Sequence, residues 1–520
     1  MLFLVALTAL AAWLRVTAID GRSAEYDEGV YWQSLRAMAG GHALFTDIFS
    51  SQPPFFLLSV YPLFAALGCT LEAARAGVVV WSFVGVGAAY FAGRAVAGRR
   101  GGLIAAALLA FEPLYVAESR TLQAEAPALA FAMLAVALAA VGGTKAGGVR
   151  AAYAFAAGAA LAFGCGAKLF DVVAAVPVAF YLLHRPARSP SLTPLGWVRH
   201  ATANAVPCTV GGLTAVALLV FPFAGRLDAY YDQVVHFHLL AKQLPKEGVL
   251  DNLRILAGEW PLLPLAVLAT GLAVVATKSG TAALRRRLIT PAAWTAVTVL
   301  FLLVQHPLMD HHVSLLSPPL ALLAAVAAGG LLATQAPQPG VGSKPAADAA
   351  PRSPSSVTVA PGGGRLGRAF RRPAVIAAAL AVAGGAMVAI AWAQAVDAGR
   401  RPTFAQRQVA TAIARHTTHD AWVMADDQYL AGLAGRDVPP PLVDTSRVRV
   451  QTGNLTRADL EHAAADPRVE AILFHSGHFD RMPGFRAWVQ ARFQLVQTFD
   501  DGRALYVREP ASASVRDPRE

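Results

Sequence analysis

The chain has 520 residues, of which 55% are hydrophobic and only 15% charged. A soluble chain of this length carries about a quarter charged residues, so a water-soluble globular fold is excluded. The net charge of +11 does not indicate a nucleic-acid partner, because the basic residues sit in short clusters between apolar blocks, which is the pattern of membrane topology.

Apolar blocks recur near 2–19, 54–69, 75–97, 101–118, 122–142, 151–167, 169–184, 203–224, 259–277, 289–306, 312–333 and 374–395. Most are close to the roughly 20 residues that cross a bilayer. The first lacks a charged start and a small-residue cleavage site, so it reads as an uncleaved span rather than a signal peptide. The second opens with Pro53-Pro54 and contains Pro62, and reads as an interfacial or re-entrant helix. With that assignment about eleven spans remain, and the basic clusters all fall on the cytoplasmic side. These clusters are Arg94/Arg99/Arg100, Lys145/Arg150, Arg185/Arg188/Arg199, Lys278/Arg285/Arg286/Arg287 and Arg365/Arg368/Arg371/Arg372. Cys69, Cys165 and Cys208 lie in apolar segments, odd in number and without CxxC spacing, and read as buried hydrophobes.

The expected organisation is a transmembrane domain over 1–334, a Pro/Gly/Ala/Ser-rich disordered cytoplasmic linker over 335–373, a last span at 374–395, and an outer soluble domain over 396–520. In that tail, Trp422-Val423-Met424, Ala471-Ile472-Leu473-Phe474 and Leu505-Tyr506-Val507 read as buried strands, with a hairpin turn at Asp501-Gly502. Residues 404–415, 456–465 and 485–493 have helical spacing. The fold class is therefore mostly α and polytopic, with a small C-terminal α/β domain.

This topology gathers unexpected polar residues at the outer ends of spans. The first loop holds Asp27, Glu28, Arg36, His42 and Asp47; a later turn holds Glu118, Arg120, Gln123 and Glu125. Lys168 opens another span, His236, His238 and Lys242 lie in an outer loop, and His306, Asp310, His311 and His312 precede the next span. Ionisable groups at membrane depth are expensive and face a cavity or each other, so one polar site is expected. A carboxylate there can take a proton from an acceptor hydroxyl, and Arg, Lys and His can hold a departing phosphate. Each has a plainer reading as well. Asp27 can cap the helix expected at 28–39, Glu28 can favour its first turn, Arg120 can pair with Glu118, and Lys168 can snorkel to the interface.

The stretch Tyr26-Asp27-Glu28-Gly29-Val30-Tyr31, followed by Asp47 and Gln52-Pro53-Pro54, resembles the first loop of bacterial members of the protein O-mannosyltransferase superfamily. That GT-C class also contains the lipid A aminoarabinose transferase. Glu118-Ser119-Arg120 with Glu125, Lys168, and His311-His312 before Ser317-Pro318-Pro319-Leu320 follow in the family's order. The resemblance covers most of 1–335, and the tail is similar to the soluble domain of bacterial members. It implies a bacterial plasma-membrane glycosyltransferase that moves a hexosyl or pentosyl group, with inversion, from a polyprenyl-phosphate donor. The acceptor would be a protein, lipid or glycan hydroxyl on the extracytoplasmic face, with no nucleic acid involved. Asp27 matches the catalytic acidic position and Glu28 its neighbour, while Arg120 and Lys168 match positions associated with the carrier phosphate. Glu118, Glu125, Asp47 and Gln52 fall at further motif positions. His311 and His312 stand where the family often has Arg-Tyr, so a phosphate role and a divalent metal held by Glu28, Asp310 and His311 both stay open. Two readings from other classes remain: a transporter or lipid flippase, and a non-catalytic envelope assembly protein.

Overall fold

The computed structural model describes residues 2–17, 19–21, 26–183, 193–244, 248–333, 373–399 and 403–509. The linker expected at 335–373 lies almost wholly outside them. Helices labelled below are α1 (Leu2–Val16), α2 (Tyr26–Ala39), α3 (Phe55–Ala66), α4 (Leu71–Phe111), α5 (Pro113–Glu118), α6 (Glu125–Gly142) and α7 (Gly147–Ala167).

Among the described residues, eight helical stretches are long and apolar enough to cross a membrane, and Val5–Val16, Phe55–Ala66 and Leu169–Leu183 are shorter apolar helices. One of the eight, α4, is two antiparallel arms. Its turn is Gly98, at φ 75 and ψ −174, a backbone state that costs any residue with a Cβ. Thr70 starts α4 by accepting the Ala73 N–H at 3.2 Å. Glu112 then ends it and begins α5, its carboxylate accepting the N–H groups of Leu114 (3.1 Å) and Tyr115 (2.7 Å) ahead of Pro113 at the first helical position. The hairpin thus accounts for two of the apolar blocks, and the short α3 accounts for the block read as interfacial.

The helices are not equally buried. The apolar windows of α6 and of Asp310–Ala333 are 83% and 89% buried, whereas that of Leu195–Ala241 is 22% buried. The first two therefore form the centre and the last faces outward. Glu125 and His311-His312 sit at the ends of the two central stretches, which is why these costly polar groups meet inside the protein.

The C-terminal domain is built on a four-stranded sheet, β1 (Trp422–Ala425), β2 (Val469–Phe474), β3 (Phe493–Thr498) and β4 (Ala504–Arg508), in the order β1-β2-β4-β3. β1 and β2 run parallel; β4 is antiparallel to both β2 and β3. The expected strands and the hairpin are present, the turn using Asp501 at φ 60 and Gly502 at φ 74. The helical spacing read over 485–493 is partly overturned: the helix stops at Gln490 and Phe493 opens β3. β3 is an edge strand with a mostly exposed face, so its sequence lacks the continuous apolar run that marks β2.

This domain is packed directly on α2. Tyr26 Oη accepts the Thr445 N–H at 3.0 Å. Gln33 donates to the Arg436 carbonyl at 3.0 Å and accepts the Val438 N–H at 3.3 Å, while Arg36 pairs with Asp437 at 2.5 Å. Gly29 lies against the Tyr429 backbone, where an added Cβ would come within 2.5 Å of the Tyr429 nitrogen. The helix expected at 28–39 is therefore present one turn-start earlier, as Tyr26–Ala39, and is largely buried because it is roofed by the tail of the chain.

Candidate active site

Between the α2 start, the neighbouring ends of the central helices and the C-terminal domain lies a cavity of about 720 Å³. Asp27 and Tyr26 form one wall; Ser51 and Gln52 come from the first loop, and Lys168 and Phe170 from the end of α7. Gln305, His306, Asp310, His311 and His312 form the opposite side, and Phe237, His238 and Lys242 a third. Asp444, Arg447 and His478 of the C-terminal domain complete it. Its size is that of a small-molecule site.

Asp27 and Glu28 are neighbours with opposite surroundings. Successive residues on a helix point about 100° apart, so only one of them can face the cavity. Asp27 does, half-buried. Glu28 is 0% exposed and turned inward. Its two oxygens accept from Arg75 Nε and Nη2 at 2.7 Å each, and Oε1 also accepts the Leu122 N–H at 2.6 Å. Arg75 Nη1 in turn donates to the carbonyls of Ile19 (2.6 Å) and Gly21 (2.7 Å). Glu28 thus ties α2, α4, the segment after α1 and the turn before α6 together, and it does not line the cavity. The bidentate pair and the third donor take three of its roughly four lone-pair directions.

Lys168 closes α7 in extended conformation (φ −150, ψ 123), which swings its side chain back toward α6. Its ammonium pairs with Glu125, and His311 Nε2 lies 3.4 Å from the same carboxylate oxygen. His312 Nδ1 accepts the Met309 N–H at 3.1 Å, so its neutral ring carries the proton on Nε2. Phe170 packs edge-on against His312, with centroids 4.7 Å apart. Behind them a pocket of about 10 Å³, the scale of one water, is lined by Glu125, Lys168, Asp171 and His312.

Glu125, His311 and His312 bring potential ligand atoms within 4.8 Å of one another; Glu28 and Asp310 are not in that group. A dication there would share Glu125 with the Lys168 ammonium, which holds Oε1 while Oε2 has no hydrogen bond among the described residues, and the His312 Nδ1 lone pair is already engaged. The cluster is better matched to an anion, which an ammonium and imidazole N–H groups attract.

Other motif residues lie elsewhere. Arg120 is buried without lining the cavity, and its Nε and Nη1 have no partner among the described residues. Burial, with Arg15 and Arg75 nearby, lowers its pKa to about 10. Glu118 ends α5 beside it. Asp47 accepts the Ala43 N–H at 2.8 Å and stands 3.9 Å from His42, holding the first-loop turn. Sequence reading passed over Arg75 and Asp171, although each is a charge inside an apolar block, a signal in itself. It also passed over Asp444, Arg447 and His478, for which the sequence carries no local signal.

Residues 51–210 match the family model for dolichyl-phosphate-mannose-protein mannosyltransferase. The crystal structure of ArnT from Cupriavidus metallidurans in the apo state is similar over 97% of each chain, with TM-score 0.64 and 16% identity. The same protein bound to undecaprenyl phosphate gives a TM-score of 0.66 at 15% identity over 98% of each chain. The Archaeoglobus fulgidus oligosaccharyltransferase in complex with Zn and sulfate gives 0.51 at 11% identity, over 97% of this chain and 73% of that one. No curated protein matches the chain. The resemblance read from the first-loop motif stands: this is a multi-pass membrane protein with the GT-C glycosyltransferase fold.

Proposed function

We propose that this chain, a membrane protein of GT-C fold, transfers a sugar from a polyprenyl-phosphate carrier to an acceptor hydroxyl on the outer face of the plasma membrane. The observation that carries the reading is the cavity in which the Asp27 carboxylate and the Lys168/His311/His312 group share the walls. Asp27 accepts the proton of the acceptor hydroxyl as its oxygen forms a bond to the anomeric carbon. The bond from that carbon to the carrier phosphate breaks, and the phosphate leaves with the electron pair toward Lys168 and the His312 Nε2–H. One displacement inverts the anomeric centre. The undecaprenyl phosphate bound by ArnT of similar fold supports the carrier class, and apolar Phe237, Ile255 and Phe301 in the same cavity suit its chain.

In this reading Glu28 positions α2 through Arg75, Glu125 holds Lys168, and Gln52 borders the donor. The outward orientation is supported by α4: Arg75 touches Glu28 at one end, and Arg99-Arg100 follow Gly98 about 36 Å along the first arm. The basic turn is thus remote from the site, as expected of a cytoplasmic loop. In the same reading residues 1–334 are the catalytic membrane part, the helix Pro373–Gly399 is the last span, and the sheet-bearing tail is the outer domain.

The test is transfer by the purified chain from a panel of labelled polyprenyl-phosphate sugars to extracted envelope acceptors. Sugar transfer by the wild type and its loss in Asp27→Asn is the expected result. Unchanged transfer by that variant removes Asp27 as the base, and no transfer from any donor removes the reading.

A further inference from the structure

The C-terminal domain meets the cavity through Asp444–Val448, in the crossover between its two parallel strands, and through His478, in the loop beyond the carboxyl end of β2. Open α/β sheets bind ligands at that edge, in the loops that follow the strands. Here β1 is followed by Asp426-Asp427 and β2 by His475–Phe479, and the two loops are tied together. Asp426 is fully buried, and its carboxylate accepts the N–H groups of His475 at 2.6 Å and Ser476 at 3.0 Å. His475 pairs with Asp427 at 3.2 Å.

This bracing fixes His478 in the cavity wall. Its ring stands edge-on to Tyr26, 4.9 Å between centroids, and Tyr26 immediately precedes Asp27. His478 Nδ1 has no protein hydrogen bond among the described residues. Burial lowers the pKa of this imidazole, so it is neutral near pH 7. Arg447 lines the same cavity and is exposed. It differs from Arg449 two residues on, whose guanidinium is engaged by the carbonyls of Pro441 (2.8 Å) and Asp444 (2.5 Å).

Lys168 and His312 stand on the side assigned to the donor phosphate. His478 and Arg447 approach from the aqueous domain, on the side of Asp27. We propose that the C-terminal domain is the acceptor-selecting wall of the site. His478 contacts the acceptor beside its reacting hydroxyl, and Arg447 contacts an anionic group that the acceptor carries. The inference rests on the transferase reading above.

The test uses the full-length protein in detergent, the labelled undecaprenyl-phosphate sugar that the wild type uses, and detergent-extracted envelope of a strain lacking this chain as titrated acceptor. His478→Ala and Arg447→Glu are expected to raise the half-saturating acceptor amount about tenfold or more, with His478→Gln recovering part of the loss. The Kd for undecaprenyl phosphate should stay within about twofold of wild type for these variants, and rise for Lys168→Ala. Half-saturation unchanged in the variants, or a carrier Kd that rises in parallel, overturns the proposal while the transferase reading stands. A wild type that transfers nothing overturns both. If His478→Ala does not fold, Arg447→Glu, at an exposed position, decides.

Discussion

At the scale of single residues, a carboxylate's work follows from what surrounds it. Asp27 borders the cavity, whereas Glu28 has its oxygens filled by Arg75 and Leu122. In the proposed mechanism Asp27→Asn keeps the shape and removes the base, so transfer is expected to fall by about 10²–10⁴-fold while the thermal unfolding midpoint in detergent is kept. Glu28→Ala leaves the Arg75 guanidinium buried and uncompensated. Removal of one partner of such a pair costs about 3–5 kcal/mol, so this variant should unfold earlier as well as turn over more slowly. The two midpoints measured side by side separate chemistry from positioning. Lys168→Ala should lower transfer by roughly 10²–10³-fold, read in the same assay. Because a dication beside Glu125 would meet the Lys168 ammonium, turnover should continue in excess chelator; loss of activity that added Zn²⁺ or Mn²⁺ restores would contradict this account. Asp27, Lys168 and the two histidines were legible as polar residues at the ends of apolar blocks. The inward turn of Glu28 was not, because the partner that decides it, Arg75, sits 47 positions away inside another block.

At the scale of elements, the decisive features are where a helix turns and what lies on it. The α4 arms fold back at Gly98, and Gly98→Ala places a Cβ at positive φ with extended ψ, a state essentially confined to glycine, at about 1–3 kcal/mol. A modest fall in the unfolding midpoint with the fold retained is the expected outcome, checked by thermal unfolding. Gly29→Val is a different case, since its side chain would meet the Tyr429 backbone. It should loosen the C-terminal domain from α2 and expose the interface to limited proteolysis. Hydrophobic length made the spans readable, and an alternating or continuous apolar run made β1, β2 and β4 readable. β3 escaped because an edge strand with an exposed face carries little of either signal. The cover over α2 escaped for a related reason: Gln33, Arg36 and Tyr26 are ordinary polar residues until Val438, Asp437 and Thr445 are placed against them.

At the scale of the whole molecule, the site is shared between parts far apart in the chain. The central stretches α6 and Asp310–Ala333 supply Glu125 and the histidines, the first loop supplies Asp27, and the tail supplies His478. A chain ending near residue 399 keeps every span described and loses the wall over α2. It is expected to insert into membranes yet transfer no sugar, measured by fractionation and by the transfer assay on the same preparation. The GT-C fold was within reach of the sequence because its first-loop motif and the order of its polar positions are linear features. The composition of the finished cavity is a three-dimensional property, and Tyr26 beside His478 has no counterpart in any local pattern.

The packing of the tail on α2 also sets a time order for the protein's own synthesis. The helix that carries Asp27 is made long before the residues that clasp it, from Gln428 to His478; Gln33 and Arg436 are 403 positions apart. A nascent chain cannot hold a complete site until those residues have emerged. The cavity can therefore close only after the whole stretch from Asp27 to His478 has been made and moved across, and shorter nascent copies lack its C-terminal wall.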